Sequence, residues 1–194
     1  MNSDYDYTYD LHKAVAALRS GGVIAYPTDT VWGIGCDATC SEAVKKVFEI
    51  KHRADSKALI TLVADEEMLA GHIADGADRC GIEYVRTSDR PVTVVYPGGR
   101  DVAPELLAAD GSIGIRIVRD GFASDLCRAL GGPIVSTSAN ISGEPAPAVY
   151  GSIEPALLAR LDYVALTGRD NAAPSRPSKV VKITDTGDII ILRD

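Results

Sequence analysis

The sequence reads GGVIAYPTDTVWGIG over residues 21–35. The residues just before this stretch, 10–20, repeat apolar side chains at helical spacing, and the two glycines that open it are typical helix terminators. Residues 23–26 have the composition of a short buried strand, which Pro27 ends. A helix followed directly by a buried strand is typical of an α/β domain.

The same alternation continues along the chain. Helical periodicity is found from Ser41, the predicted N-cap, to Lys51, after Asp65, and at 78–88, 121–130 and 152–161. Strand-like runs lie at 58–64, 91–96, 113–118, 133–135, 179–183 and 188–192, and the last two are separated by a hairpin-like turn. The pattern predicts one α/β domain with a mixed sheet.

Composition limits the class of protein. The chain has 194 residues, of which 46% are hydrophobic and 24% charged, so disordered and fibrous classes are excluded. Its apolar runs are far shorter than the ~20 residues that cross a bilayer. The acidic, polar N-terminus lacks the features of a secretory signal, so we expect a cytoplasmic protein with no membrane contact. The four cysteines match no common zinc-site spacing, which predicts ordinary reduced thiols and no metal site.

A cluster of cations stands out because the formal net charge is −7. Such a charge opposes broad attraction to a polyanion, so anion binding requires a local site. Lys51-His52-Arg53 and Lys57 supply one, whereas Lys45 and Lys46 are typical of a solvated helix end. Lys51 shares the apolar face of its helix, where it either meets an anion or extends its ammonium group to solvent.

Two further segments have the chemistry of an anion site. Residues 136–140, Ser-Thr-Ser-Ala-Asn, follow a strand and either donate to phosphate oxygens or form a local turn network. Arg116 lies in an interior strand, where its guanidinium needs a structural carboxylate or a ligand anion. Arg193 follows an apolar run and either does the same or belongs to a frayed terminus.

Several common catalytic motifs do not fit. The spacing of Gly33 and Gly35 matches a dinucleotide fingerprint, but no strand leads directly into these glycines and no helix starts from them. The histidines have no partner at triad or zinc spacing, and neither a Gly-x-Ser-x-Gly elbow nor a Walker loop is present. Nicotinamide, hydrolase and P-loop chemistry are therefore disfavoured.

Five segments, in this order and spacing, resemble the YrdC family, the threonylcarbamoyl-AMP synthases that begin the threonylcarbamoyladenosine modification of tRNA. The segments are 21–35, Lys51-His52-Arg53, Ile115-Arg116-Ile117, 136–140 and Ser178-Lys179-Val180-Val181. The resemblance covers most of the chain. It implies a single YrdC-like domain over residues 1–194, without the C-terminal extension domain of longer members. It also implies a twisted, mixed, open sheet with helices packed around it and a concave, positively charged cavity.

The resemblance further implies the residues of the site. The catalytic tetrad would be Lys51, Arg53, Ser138 and Asn140. ATP would contact Arg53, Lys57, Ser112, Ser138, Asn140 and Arg193. Threonine would contact Thr30, Arg116, Ser136 and Ser178, with the Arg116 fork on the carboxylate. Magnesium would accompany ATP, and no protein ligand to a metal is implied.

The activity that the resemblance implies is L-threonylcarbamoyladenylate synthesis from L-threonine, bicarbonate or CO2, and ATP, with release of pyrophosphate. Its partners would be tRNA and the proteins that transfer the threonylcarbamoyl group. The alternative is a non-catalytic protein that binds double-stranded RNA through the same basic cleft. The net charge of −7 favours the enzyme. A third interpretation, a general nucleotide-binding regulator, predicts ATP binding that ignores threonine.

Three positions depart from the family pattern. Ala54 follows Arg53 where the family usually has proline, and Leu62 replaces a histidine that some members place near threonine. Residues 88–91, Ser-Asp-Arg-Pro, stand where Trp-Pro-Gly-Pro is common. These departures bear on the geometry of the loops around the site.

Overall fold

The computed structural model describes residues 3–52, 59–147, 149–170, 177–184 and 186–194. The helices in these ranges are α1 (Ser3–Arg19), α2 (Ser41–Lys51), α3 (Glu66–Gly71), α4 (Asp78–Thr87), α5 (Gly121–Leu130) and α6 (Pro155–Leu158). The strands are β1 (Ile24–Tyr26), β2 (Gly33–Gly35), β3 (Ile60–Val63), β4 (Val92–Tyr96), β5 (Ile113–Ile117), β6 (Ile134–Ser138), β7 (Tyr163–Val164), β8 (Lys179–Ile183) and β9 (Ile189–Arg193). Short 3₁₀ turns occupy Pro104–Leu106 and Tyr150–Ser152.

The described strands form one nine-stranded sheet in the order β7-β1-β2-β6-β3-β5-β4-β8-β9. Three neighbouring pairs are parallel, namely β1/β7, β3/β5 and β4/β8, and the other pairs are antiparallel. The sheet is open, because β7 and β9 end the order, and it has the twist usual for such sheets. The α/β fold with a mixed open sheet is therefore confirmed, and the predicted C-terminal hairpin is β8–β9.

Alternation along β5 separates the two faces of the sheet. Ile113 and Ile115 are buried in a single hydrophobic cluster, to which α1, α2, α3 and α5 also contribute side chains. Gly114 and Arg116 point the other way, because successive side chains of a strand lie on opposite faces, and both line a cavity. Apolar residues of β5 thus anchor the fold while their neighbours shape the cavity.

Gly35 allows β2 to approach β6 closely. A Cβ atom at this position would lie 1.7 Å from the carbonyl oxygen of Val135, far inside van der Waals contact. The backbone at residue 35 therefore requires glycine, and Cys36 O accepts a hydrogen bond of 2.8 Å from Val135 N directly beside it. Because Gly33 and Gly35 are strand residues, the dinucleotide fingerprint is excluded at these positions.

Three details of the predicted helices are wrong. α1 begins at Ser3 rather than near residue 10, because Tyr7 packs edge-to-face on Phe122 and its hydroxyl donates to Asp125 at 2.5 Å, so α5 stabilises the polar first turns. The N-cap of α2 is Cys40, and Ser41 instead donates to Glu105 at 2.6 Å.

The helix predicted at 152–161 is the third error. The chain forms a 3₁₀ turn and then the single turn of α6. Pro155 disfavours helical backbone at the residue before it, and Glu154 accordingly has ψ 122°. Elsewhere α4 and α5 agree with their predicted segments, and Gly131 ends α5 in the left-handed conformation at φ 82°.

Candidate active site

A cavity of about 390 Å³ opens on the sheet face opposite the buried isoleucines of β5. Its volume is in the range of small-molecule sites. Its polar lining comes from the ends and inward faces of several strands. The hydrophilic residues that line it are Thr30, Thr93, Ser112, Arg116, Ser136, Thr137, Ser138, Asn140, Glu144, Ser178 and Arg193. The cavity therefore unites, among the described residues, all the predicted threonine contacts and four of the predicted ATP contacts.

Arg116 is the most deeply buried cation of this lining, with 4% of its surface exposed. Its Nη2 atom lies 3.1 Å from Oδ1 of Asp29, so the structural carboxylate considered from the sequence is present. Within the described part of the chain, its Nε atom is buried and has no hydrogen-bond partner. Arg116 therefore has a donor that its ion pair with Asp29 does not use.

Burial affects the titration of both members of this ion pair. It raises the pKa of Asp29 above its usual value, although the positive charge of Arg116 partly offsets this effect. Burial likewise disfavours the charged form of Arg116 and lowers the pKa of its guanidinium. Burial thus opposes the charged form of both groups, and their mutual attraction offsets part of that cost.

The turn between β1 and β2 holds Thr30 in a defined orientation. Thr28 Oγ1 donates to the carbonyl of Val31 at 2.7 Å and accepts from Thr30 N at 3.1 Å. Thr28 Oγ1 also lies 3.0 Å from Thr30 Oγ1. Because the only proton of the Thr28 hydroxyl is already donated to Val31, the Thr30 hydroxyl is the donor in this last bond. Thr30 Oγ1 is thereby left with acceptor capacity at the cavity.

Ser136 lies on β6 and Ser178 directly precedes β8, and both present hydroxyl groups to the cavity. A hydrogen bond of 2.8 Å joins Ser178 Oγ to Thr93 Oγ1 in the interior. Gly33 makes room for Ser136, because a Cβ there would lie 3.1 Å from Ser136 Oγ. Thr93 was missed by the sequence analysis, since nothing in a strand of alternating apolar residues distinguishes one threonine as a partner of a residue 85 positions away.

Lys51 contacts the strand end that carries Ser138 and Asn140. Its Nζ atom donates to the carbonyl of Ser138, to that of Asn140 at 2.6 Å and to Asn140 Oδ1 at 3.4 Å. The residue is 1% exposed and is not part of the cavity lining. The interpretation in which Lys51 extends to solvent is therefore wrong, and backbone carbonyls, rather than an anion alone, receive its charge.

The segment after β6 also forms the local turn network considered from the sequence. Asn140 Nδ2 donates to the carbonyls of Ile141 at 3.1 Å and Glu144 at 2.6 Å, and Ser142 N donates to Lys51 O at 3.0 Å. These bonds tie the loop to the end of α2. Glu144, which the sequence analysis did not single out, joins the cavity lining through this loop.

The C-terminus of α2 is fixed from a distance by Arg160. Its guanidinium donates to the carbonyls of Ile50 at 3.0 Å and Glu49 at 3.3 Å, and it lies 3.3 Å from His52 Nε2. His52 adopts the left-handed conformation at φ 49°, which is uncommon for a residue with a side chain. Arg160 thus sets the chain direction just before Arg53, which lies with Lys57 and Ala54 outside the described residues.

The remaining predicted ATP contacts lie at the other side of the cavity. Arg193 donates through Nε and Nη2 to Ser178 O, at 3.3 and 2.8 Å, so it is ordered within β9 and not part of a frayed terminus. Ser112 donates to Asp110 at 2.5 Å, and Lys182 contacts the same carboxylate at 2.7 Å. These hydrogen bonds lower the pKa of Asp110.

Metal and membrane features are absent from the part of the chain that the structure describes. No group of three or more His, Cys, Asp or Glu side chains there is arranged to hold a metal ion. All four cysteines have free thiols. None of the described helices is both long enough and apolar enough to span a membrane.

Comparison with known proteins identifies relatives of the whole fold. The family model Sua5_yciO_yrdC, described as "Telomere recombination", matches residues 16–194. A threonylcarbamoyl-AMP synthase of Xanthomonas axonopodis pv. citri (strain 306) is 37% identical over 195 residues, covering 96% of this chain and 98% of the relative. One of Stenotrophomonas maltophilia (strain K279a) is 39% identical over 159 residues, which is 79% of this chain and 84% of that protein.

A solved structure supports the same assignment. P. abyssi Sua5 complexed with L-threonine superposes with a TM-score of 0.80 at 26% identity, over 95% of this chain and 54% of the longer Sua5 chain. The present chain thus spans about half the length of that protein. With the family match over most of the sequence, these similarities lead to one conclusion: the chain belongs to the Sua5/YciO/YrdC family.

Proposed function

We propose that this chain is a threonylcarbamoyl-AMP synthase, which converts L-threonine, bicarbonate and ATP into L-threonylcarbamoyl-AMP, pyrophosphate and water. The observation that carries the proposal is the buried guanidinium of Arg116 facing a cavity lined by the hydroxyls of Thr30, Ser136 and Ser178. A fork of N–H donors beside hydroxyl groups suits a small hydroxylated amino acid. Relatives that carry this name over 96% of the chain support the same activity.

The proposed chemistry needs no covalent intermediate on the protein. Threonine binds with its carboxylate on Arg116, its amine becomes a carbamate, and a carbamate oxygen attacks the α-phosphorus of ATP. The bond from this phosphorus to the bridging oxygen of the β-phosphate breaks, and pyrophosphate leaves with that electron pair. Holding the two reactants in one cavity and surrounding the phosphates with donors lowers the barrier.

The donors proposed for ATP lie on two sides of the cavity. Ser138 and Asn140 stand at the end of β6, while Ser112 and Arg193 stand at the far side. From the family resemblance, Arg53 and Lys57 complete the phosphate site. The proposed positive character of the cavity depends on these last two residues, because its described charged lining consists of two arginines and Glu144.

Magnesium fits this site as a companion of the nucleotide. The described cavity has Glu144 as its one carboxylate and several hydroxyls, but no cluster of protein ligands. Magnesium commonly binds through few carboxylates together with substrate phosphates and water. Glu144 and the Ser138 hydroxyl are the groups that could approach it, and the bound ion would neutralise phosphate charge.

The proposed product determines the proposed partners. Threonylcarbamoyl-AMP is a mixed anhydride, so it serves as a donor of the threonylcarbamoyl group to proteins that modify tRNA, in the cytoplasm. Direct binding of double-stranded RNA is the disfavoured alternative, because the net charge is −7 and an RNA surface requires a broad basic face.

The experiment that tests the proposal is pyrophosphate release from ATP and bicarbonate, with and without L-threonine, and with serine and valine as controls. We expect release that depends on threonine and exceeds that with either control. Release that ignores threonine would contradict the synthase and favour a nucleotide-binding regulator. Retention of RNA at physiological salt, without any release, would favour the RNA-binding alternative.

A further inference from the structure

The Arg116 guanidinium already has a carboxylate beside it. Asp29 Oδ1 lies 3.1 Å from Nη2, and the Asp29 side chain is 24% exposed. Asp29 is not itself among the lining residues of the cavity, but its partner Arg116 and its neighbour in sequence, Thr30, both are. A ligand that offers only a carboxylate to Arg116 would bring a second negative charge next to Asp29. Like charges at such short distance oppose binding, and the described ion pair therefore disfavours simple carboxylic acids.

An α-amino acid removes this conflict. In the zwitterion, the ammonium group is separated from the carboxylate by a single carbon, so a carboxylate held by Arg116 brings the ammonium group close to Asp29. Thr30, the next residue, leaves an acceptor on its hydroxyl because its proton is donated to Thr28. The guanidinium thus suits the carboxylate of an amino acid, and the two acceptors beside it, the Asp29 carboxylate and the Thr30 hydroxyl, suit its ammonium group.

We propose that the Asp29 carboxylate binds the α-ammonium group of the amino-acid substrate and accepts the proton that this group loses before carbamate formation. The inference rests on the proposed synthase activity and adds a residue and a role to it. The hydrogen bonds of Thr28 to Val31 and Thr30 fix the turn that carries Asp29.

The proton balance of the step is complete. The substrate R–NH3⁺ and the Asp29 carboxylate become R–NH2 and the Asp29 carboxylic acid. The amine lone pair then forms a C–N bond to bicarbonate, which loses water and leaves the carbamate R–NH–COO⁻. Asp29 returns its proton to solvent, so one proton is released for each carbamate formed.

The electrostatic surroundings of Asp29 suit this exchange. The charged groups that act on it are Arg116, which favours its ionised form, and Asp120, which opposes it. Burial raises its pKa, which makes the carboxylate a better proton acceptor than an exposed aspartate. Asp120 is not part of the cavity lining, so its removal changes charge near Asp29 without removing a cavity contact.

The test compares Asp29→Asn, Asp29→Glu and the control Asp120→Asn. Calorimetry measures the binding of L-threonine and of its 2-hydroxy analogue, in which a hydroxyl replaces the ammonium group. We expect wild type and Asp120→Asn to prefer threonine by about tenfold or more, and Asp29→Asn to show a preference of about twofold or less. Asp29→Glu retains the charge, so it is expected to keep most of the preference.

Kinetics separates proton transfer from binding. The ratio of wild-type to Asp29→Asn kcat/KM for threonine is expected to fall as pH rises toward the pKa of the amine, because solvent then removes the proton. A ratio that stays constant with pH, or an unchanged preference for threonine in Asp29→Asn, would overturn the inference while leaving the synthase assignment standing. Wild-type protein that releases no pyrophosphate in response to threonine would instead overturn the proposed function.

Discussion

Replacing Lys51 by methionine removes a buried charge and little volume. The Lys51 ammonium group donates to the carbonyls of Ser138 and Asn140 and lies 3.4 Å from Asn140 Oδ1. Methionine fills nearly the same space but cannot donate, so these partly buried oxygens lose their donor. The substitution therefore tests hydrogen bonding rather than packing.

The magnitude of the effect follows from these contacts. Hydrogen bonds to charged groups contribute about 1.5–3 kcal/mol each, and a buried acceptor left without its donor costs about 1–3 kcal/mol. Relief from burying the ammonium charge offsets part of this loss. We expect a net decrease of about 3 kcal/mol in the free energy of unfolding, which corresponds to a decrease of about 10 °C in Tm for a chain of this size.

Thermal and urea unfolding of Lys51→Met measure this loss, and Lys46→Met is the matched control. Lys46 is exposed and, among the residues that the structure describes, donates only to Gly21 O at 3.1 Å, so we expect its loss to change stability by about 0.5 kcal/mol or less. Threonine-dependent pyrophosphate release should fall at least about tenfold in Lys51→Met, because Ser138 and Asn140, the residues proposed to contact ATP, shift. If Lys51→Met unfolds like the control and turns over like wild type, the reasoning about this lysine is refuted.

Three further substitutions test the site and the sheet. Arg116→Lys should raise KM for threonine more than KM for ATP, because lysine lacks the planar fork; equal increases would contradict this role. Gly35→Ala should lower the free energy of unfolding, measured in urea, by about 3 kcal/mol or more, because the new Cβ atom would lie 1.7 Å from the Val135 oxygen. Gly114→Ala is the control and should leave the free energy of unfolding nearly unchanged, because its nearest atom lies at 3.6 Å. Because burial raises the pKa of Asp29, wild type should lose stability relative to Asp29→Asn as pH rises from about 4 through the folded pKa, and a constant difference would contradict this.

The elements predicted correctly from sequence are those whose signals are local. Alternation along 113–118 placed Arg116 opposite the isoleucines, and Gly131 marked the end of α5. The helix predicted at 152–161 was too long, because the prediction rested on apolar spacing and ignored Pro155. The effect of a proline on the backbone of the preceding residue is equally local. More weight on Pro155 would have corrected that error.

The candidate site was only partly accessible from sequence because its key contacts join distant residues. The pairing of Arg116 with Asp29 connects β5 to the β1–β2 turn, and the bond of Ser178 to Thr93 connects segments 85 positions apart. The family resemblance named eight of the hydrophilic lining residues but not Thr93 or Glu144, and it did not indicate that Lys51 would bind carbonyl oxygens. Hydrophobic periodicity reports which residues are buried, and it contains no information about which polar groups then become partners.

Lys51 and Arg116 are both buried cations, and they differ in how fully their donors are used. The Lys51 ammonium group already has several oxygen acceptors, and the residue does not line the cavity. Arg116 lines the cavity with a buried Nε that has no partner among the described residues. An unsatisfied buried donor costs about 1–3 kcal/mol, so this atom is a cost that the folded protein carries at the wall of the cavity. The fold therefore uses one cation to order the loop beside the cavity and leaves the other with an unused donor at the wall of the proposed threonine site.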